Sequence, residues 1–219
     1  MTRTPVRHVV YLHGFASSPA SGKAERFRRE LESRGVGFTC PDLNQPAFET
    51  LTATRMLAQA RDAVARVPEG PIALVGSSLG AFVAVHAAAQ DTTGRIDRMV
   101  LLAPALDFGG NRLRQLGPHG VDEWRRAGAL KVFHYAWGEE REVGYELYAD
   151  AAGYDAITLP TTLPVLVFQG DHDESVDPGM VRRWAEGRPL VDLRMVHDGH
   201  QLTESLDHIW AESARFLGL

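Results

Sequence analysis

The sequence predicts an α/β protein built on a doubly wound, mostly parallel sheet of about six strands. Short apolar, β-branched runs alternate with segments of helical period along the chain, the pattern of strands joined by helical crossovers. The runs are also nearly continuous in apolar character, as in IALV (72–75) and MVLL (99–102). Strands covered by helices on both faces need that continuity.

Six runs fill the strand role: Val9–Leu12, Phe38–Pro41 (the least apolar), Ile72–Val75, Met99–Leu102, Val165–Phe168 and Val191–Val196. Between them, Ala24, Phe27 and Leu31 mark one amphipathic helix, and Leu51, Leu57, Ala60, Val64 and Val67 mark a second. The stretch Leu79–Ala89 is apolar almost all round, so it should be the most buried helix. Asp177-Pro178 reads as an N-cap followed by proline at the first helical position, leading into Met180–Ala185. Leu202, Leu206, Ile209, Ser213 and Phe216 outline a closing helix.

With 219 residues, 44% of them hydrophobic, the chain can bury one sizeable core, and a single domain over 1–219 is expected. A formal net charge of -5 offers no basic field for nucleic acid or anionic lipid, which leaves a small molecule as the expected partner. Cys40 is the only cysteine, so neither an intrachain disulfide nor a cysteine-based zinc cluster can form, and a reducing cytoplasm fits. The opening MTRTPVRHVVYLHGF lacks a basic leader with a long apolar core, and no run approaches the roughly 18 residues of a membrane span. The mature chain is expected to start near Met1. Oligomeric state is left open.

One segment breaks the rhythm. Residues Leu106 to Leu163 separate two strands that a single crossover could join, and they contain Phe108, Leu113, Leu116, Trp124, Leu130, Phe133, Tyr135, Trp137, Tyr145, Tyr148 and Tyr154. Ordinary connections are about 4 to 6 residues at the median, and long ones tend to be lids or binding loops. A helical cap over approximately 106–163 is expected, folded over the carboxyl edge of the sheet, with Trp124, Phe133, Tyr135 and Trp137 as candidate walls of an apolar substrate pocket.

The run 72–75 leads into Gly76-Ser77-Ser78-Leu79-Gly80, a strand-to-helix match to G-x-S-x-G in which only Ser78 holds the central position. Glycines on either side suit a strained turn that lifts the serine Oγ out of the sheet and sets a helix N-terminus beneath a reacting carbonyl. A serine hydroxyl is a weak nucleophile unless a histidine accepts its proton and a carboxylate orients that histidine. Both types follow in chain order. Gln169-Gly170-Asp171-His172-Asp173-Glu174-Ser175-Val176 comes after the fifth run, and His197-Asp198-Gly199-His200-Gln201 after the sixth. Each cluster lies past the carboxyl end of a strand, the edge where open parallel sheets bind ligands. Asp171 and Asp173 both qualify as the acid at this level.

With these residues the chain resembles an α/β-hydrolase, and in particular the small bacterial YqiA-type esterases. Tyr11-Leu12-His13-Gly14-Phe15-Ala16-Ser17-Ser18-Pro19, followed by Lys23-Ala24, is similar to that group's N-terminal signature, and GSSLG matches its nucleophile elbow. The resemblance implies a three-layer α/β-hydrolase fold and a serine hydrolase acting on carboxylic esters or thioesters of small hydrophobic acyl groups through an acyl-enzyme. It implies Ser78 as nucleophile. The motif G-x-x-D-x-x-V selects Asp173 as the acid, and the Asp198-Gly199-His200 context selects His200 as the base. The backbone amides of Phe15 and Leu79 are implied as oxyanion donors, with His13 bracing the oxyanion loop.

No cofactor is implied, and no metal. The cluster Asp171, His172, Asp173, His197, Asp198 and His200 is rich in ligand types, yet no H-E-x-x-H or comparable helical spacing accompanies it. Lys23, near a helix start, suits either an anionic group of the substrate or a solvated helix face. The same triad also serves acyltransferases and lyases, since fold and triad do not fix reaction class. A non-catalytic binding module has no need of serine, acid and histidine at three strand ends.

Overall fold

The first strand, β1 (His8–Leu12), has its last four residues buried and pairs on both edges in parallel: Val10 lies opposite Thr39 of β2 (Gly37–Thr39) and Leu74 of β3 (Ile72–Ser77). β4 (Ile96–Leu102) continues the sheet beyond β3. Two later strands, Val165–Gly170 and Val191–Val196, complete it; they are β7 and β8 in chain order. The six strands are all parallel, in the order β2-β1-β3-β4-β7-β8. The structure is a computed structural model that describes residues 5–219, and the side chains of all of these but 111–114. Met1 and the Leu113 side chain therefore lie outside the described residues.

Side chains alternate faces along each strand. Val10, Leu12, Ile72, Leu74, Met99, Leu101, Val165 and Val167 join one buried cluster, and Val9, Tyr11, Ala73, Val75, Val100, Leu102, Leu166 and Phe168 the other. The second cluster is closed by α1 (Gly22–Glu32), through Ala24, Phe27 and Leu31, and by α7 (Leu206–Leu217), through Ile209 and Trp210. The first is closed by α2 (Ala53–Arg66), α3 (Leu79–Ala89) and α6 (Pro178–Ala185). Every α3 residue from Leu79 to Ala87 is buried, as its apolar circumference requires. The Asp177 side chain accepts from Gly179 N–H at the start of α6, with Pro178 in the first turn.

Two helix boundaries differ from the sequence reading. Leu51 precedes α2, whose N-cap is Thr52, and Leu202 precedes α7 in a loop at φ 53°. Both are buried, so their apolar character kept the helical spacing although neither is helical. Strand β3 also runs past its apolar run to Ser77, because backbone pairing with Leu101 and Leu102 continues where the side chains become small.

The insertion differs more. After α4 (Phe108–Ala127), which is broken at Gly117 (φ 69°, ψ 168°) before Pro118, the chain forms an antiparallel hairpin of β5 (Ala129–His134) and β6 (Glu139–Gly144), then α5 (Glu146–Ala151). It is thus mixed rather than helical. Trp124, Val143, Leu147, Ala151 and Ala156 share the first core cluster with the sheet, and Thr54 of α2 donates from both N–H and hydroxyl to the Asp150 carboxylate. Much of the segment therefore rests on the α2 side of the sheet. No helix among the described residues is long and apolar enough to cross a membrane.

His134, at the end of β5, is fully buried, stacked on Trp137 (centroids 3.6 Å apart, 11° between planes) and met edge-on by Phe48. Burial holds its pKa below 6.5, aided by the charge of Arg141. The unfolded chain then takes up a proton below about pH 6.5 that the folded chain resists, so stability present above that pH is lost as pH falls. His134→Phe, which keeps the ring packing, should flatten the decline in urea midpoint between about pH 6.5 and 5.

Candidate active site

The turn after β3 is where the fold concentrates its constraints. Ser78 adopts φ 53°, ψ -117°, a region costing about 1–3 kcal/mol for a residue with a Cβ, and surrounding bonds hold it there. Its N–H donates to Leu102 O (2.8 Å), and its own carbonyl accepts from Ala81 N–H (3.0 Å) and Ala105 N–H (3.2 Å). The flanking glycines are obligatory for close approach. A Cβ on Gly76 would lie 2.5 Å from Ala81 Cα, and one on Gly80 would lie 2.0 Å from Leu12 O. Helix α3 thus starts pressed against the end of β1.

The loops after β7 and β8 meet at the same edge, and Gly170 permits it: a Cβ there would lie 2.3 Å from Asp198 O. His200 Nε2 is 3.0 Å from Ser78 Oγ, and His200 Nδ1 is 2.9 Å from Asp173 Oδ2 and 3.0 Å from Oδ1. Ser77, the other serine of the motif, ends β3 and is buried. Asp173 is buried and accepts from the Ser175 and Val176 N–H groups at Oδ1 (2.8 Å each) and from the Gln169 side-chain amide at Oδ2 (2.8 Å). Burial acts to raise its pKa, but the bond and charge of His200 together with the Val176 and Gln169 donors outweigh it, and the carboxyl lies below its ordinary value.

Asp171 stands elsewhere. It is exposed and pairs with His172 (2.8 Å) and His197 (3.4 Å) rather than with His200. His13 Nε2 accepts from Leu43 N–H (3.0 Å) and Nδ1 donates to Gly14 O (2.9 Å), which ties the loop after β1 to the segment after β2. The residues Phe15 and Leu79 stand with Ser78 in the wall of one cavity of about 550 Å³.

That cavity has two kinds of wall. Phe15, Phe108, Val132, Phe133 and Tyr135 supply apolar surface, while Ser17, Ser21, Lys23, Gln201 and Thr203 supply polar groups. Of the four insertion residues expected at a pocket, Phe133 and Tyr135 line it. Trp124 does not: its ring is buried against Tyr145 and Tyr148, and its Nε1 donates to Val143 O (3.0 Å). Trp137 does not either, because it closes over His134 on the far side of the hairpin. Sequence spacing marks aromatics but not which face of a hairpin they take.

Three supporting residues make contacts that the sequence did not assign to them. Gln169 is a polar residue ending an apolar run, which is the trace that could have revealed it. Asp198 accepts from Gly199 N–H (2.8 Å) and Ser205 N–H (2.9 Å), fixing the His200 loop to the approach of α7. Lys23 donates from Nζ to Gln201 O (2.6 Å) beside His200, and burial pushes its pKa down to about 8 against the pull of Asp198 and Asp173. It is therefore not simply a solvated residue on a helix face.

The fold is that of the α/β-hydrolases. A candidate hydrolase from Agrobacterium vitis S4 superposes with a TM-score of 0.84 at 24% identity, over 99% of this chain and 91% of that one. Mouse alpha/beta hydrolase domain-containing protein 10 gives 0.79 at 22% identity, over 99% and 91%. Est1E from Butyrivibrio proteoclasticus, in complex with ferulic acid, gives 0.79 at 19% identity, over 99% and 89%. No curated protein matches the sequence. Residues 8–216 match the model of the uncharacterised protein family UPF0227, the YqiA-type group, and the chain belongs to that family.

Gly80→Ala should lower the stability of the chain by about 3 kcal/mol or more, because its methyl would meet backbone rather than a mobile side chain. Gly22→Ala, where a Cβ meets nothing within 4 Å, should leave the urea midpoint nearly unchanged.

Proposed function

We propose that the protein is a serine hydrolase of carboxylic esters or thioesters. The observation that carries this reading is the unbroken relay from Ser78 Oγ through His200 to the buried Asp173, with contacts of 3.0 and 2.9 Å. His200 Nε2 accepts the hydroxyl proton as Ser78 Oγ attacks the carbonyl carbon. The tetrahedral oxyanion is received by the backbone N–H groups of Phe15 and Leu79, the latter at the positive end of α3. His200 then returns the proton to the leaving alcohol or thiol, and water, activated by the same imidazole, hydrolyses the acyl-enzyme. Asp173 keeps the Nδ1–H tautomer and stabilises the imidazolium.

The substrate has an apolar acyl or aryl part, which the Phe15, Phe108, Val132, Phe133 and Tyr135 wall accommodates. Binding of ferulic acid by Est1E, a structural neighbour, supports an aromatic acyl group. The chemistry needs no cofactor or metal. Residues 106–163 act as the cap of a single domain in this reading, and the reducing cytoplasm remains the proposed compartment.

A fluorophosphonate probe should label Ser78 and leave Ser77 unlabelled in peptide mapping; label on Ser77 alone, or none, overturns the assignment. Asp173→Asn should lower kcat by about 10⁴-fold by imposing the wrong imidazole tautomer, while Asp171→Asn should cost less than about tenfold. The reverse ranking would move the acid to Asp171.

Phe133→Ala and Tyr135→Ala should change the ratio of long- to short-chain kcat/KM with little loss of stability, since both side chains are largely exposed. Trp124→Ala should instead cost about 3–5 kcal/mol of stability and leave that ratio unaltered.

A further inference from the structure

Outside the cavity, the loops after β7 and β8 gather three side chains that the triad does not use. One ligand atom each from Asp171, His172 and His197 lies within 4.8 Å of the others. His172 Nδ1 is 2.8 Å from Asp171 Oδ1, His197 Nδ1 is 3.4 Å from Asp171 Oδ2, and the two imidazoles meet edge to face at 4.4 Å between centroids.

The backbone fixes this arrangement. Parallel pairing of β7 with β8 continues past the strand ends: Asp171 N–H donates to Val196 O (2.9 Å) and His172 N–H to Asp198 O (3.1 Å). His197 is the residue between those two accepting carbonyls. The three Cα positions are therefore set by a ladder, and only side-chain rotation remains to be ordered on binding, which keeps the entropic cost low.

We infer that Asp171, His172 and His197 form a binding site for a divalent transition metal of the Zn²⁺ class. Two imidazole nitrogens and one carboxylate oxygen are the donor set such ions take, whereas Mg²⁺ and Ca²⁺ favour oxygen ligands alone. Tetrahedral bonds of about 2.0–2.1 Å place ligand atoms roughly 3.3–3.5 Å apart; here one ligand atom from each residue lies within 4.8 Å of the others, with His172 Nδ1 and His197 Nδ1 each against a different Asp171 oxygen, so side-chain rotation has to bring both nitrogens round a single oxygen. The ion takes the place of the protons that Asp171 shares with the two rings, so each histidine binds through Nδ1 and carries its hydrogen on Nε2. Exposure of all three residues leaves the fourth position to water. A bound ion joins the loop carrying Asp173 to the loop carrying His200, yet touches neither.

The test is calorimetric titration of the metal-free full chain with Zn²⁺ alone, in a buffer that does not coordinate the ion. Wild type should take up one Zn²⁺ per chain at a saturable site. The double variant His172→Ala/His197→Ala should bind at least about 100-fold more weakly, and Asp171→Asn about tenfold more weakly. Co²⁺ in wild type should give the intense visible absorption of a tetrahedral N/O site, and the double variant should not. Near-ultraviolet circular dichroism matching wild type separates a lost ligand from a lost fold; were the double variant misfolded, His197→Ala alone carries the same comparison. Absence of saturable uptake by wild type, or equal affinity in wild type and a folded variant, overturns the site. Neither readout depends on hydrolysis.

Discussion

Helix α3 begins so close to the sheet that the backbone of Gly80 lies against the carbonyl of Leu12, and this contact governs the rest of the molecule. To enter the helix there directly from β3, the chain must turn at Ser78 through a positive φ, with Gly76 and Gly80 lacking the atoms that would collide. The turn then points Oγ away from the sheet. It also puts Leu79, the first residue of α3, in the cavity wall beside Ser78, where its N–H has no preceding helical turn to bond.

The described non-glycine residues with positive φ are Ala16, Ser78, Ala103 and Leu202, and they follow β1, β3, β4 and β8 at the carboxyl edge. Each costs of the order of 1–3 kcal/mol, so the edge is a region of stored strain carried by a sheet buried on both faces. Hydrogen bonds within the loops hold it in place. Asp173 satisfies Ser175 and Val176, Asp198 satisfies Gly199 and Ser205, and Lys23 reaches Gln201 O, so Asp173 and His200 sit on loops that are already ordered. Such preorganisation lets hydrogen bonds act on a developing charge without rearranging first.

The insertion is fastened at both ends of its reach. On one side it contributes Trp124 and Leu147 to the core over α2; on the other, Tyr135 N–H donates to Ala16 O (3.0 Å), coupling the hairpin to the loop that holds Phe15. The hairpin therefore does two things at once. One face carries Val132 and buries His134 under Trp137 and Phe48, the other carries Phe133, and Val132, Phe133 and Tyr135 all line the cavity. A cavity wall tied by backbone to the loop beneath it has little freedom to open independently.

The sequence alone determined the parallel sheet, its flanking helices and the strand ends from which the site is built, because those follow from local periodicity and from the steric demands of Gly76 and Gly80. Ser78 was legible for the same reason: only the residue between both glycines can occupy the strained turn. The two carboxylates were not separable by pattern, since Asp171 and Asp173 lie two residues apart on one loop; motif resemblance chose between them, and only the fold turns one inward to His200 and the other outward to His172 and His197. The roles of Gln169, Asp198 and Lys23 depend on contacts made across the chain, for which no local spacing exists. Likewise Phe133 and Tyr135 face the cavity while Trp124 and Trp137 do not, because a hairpin and a kinked helix replace the expected helices. Their faces are set by what each ring packs against, and that is decided only when distant segments meet.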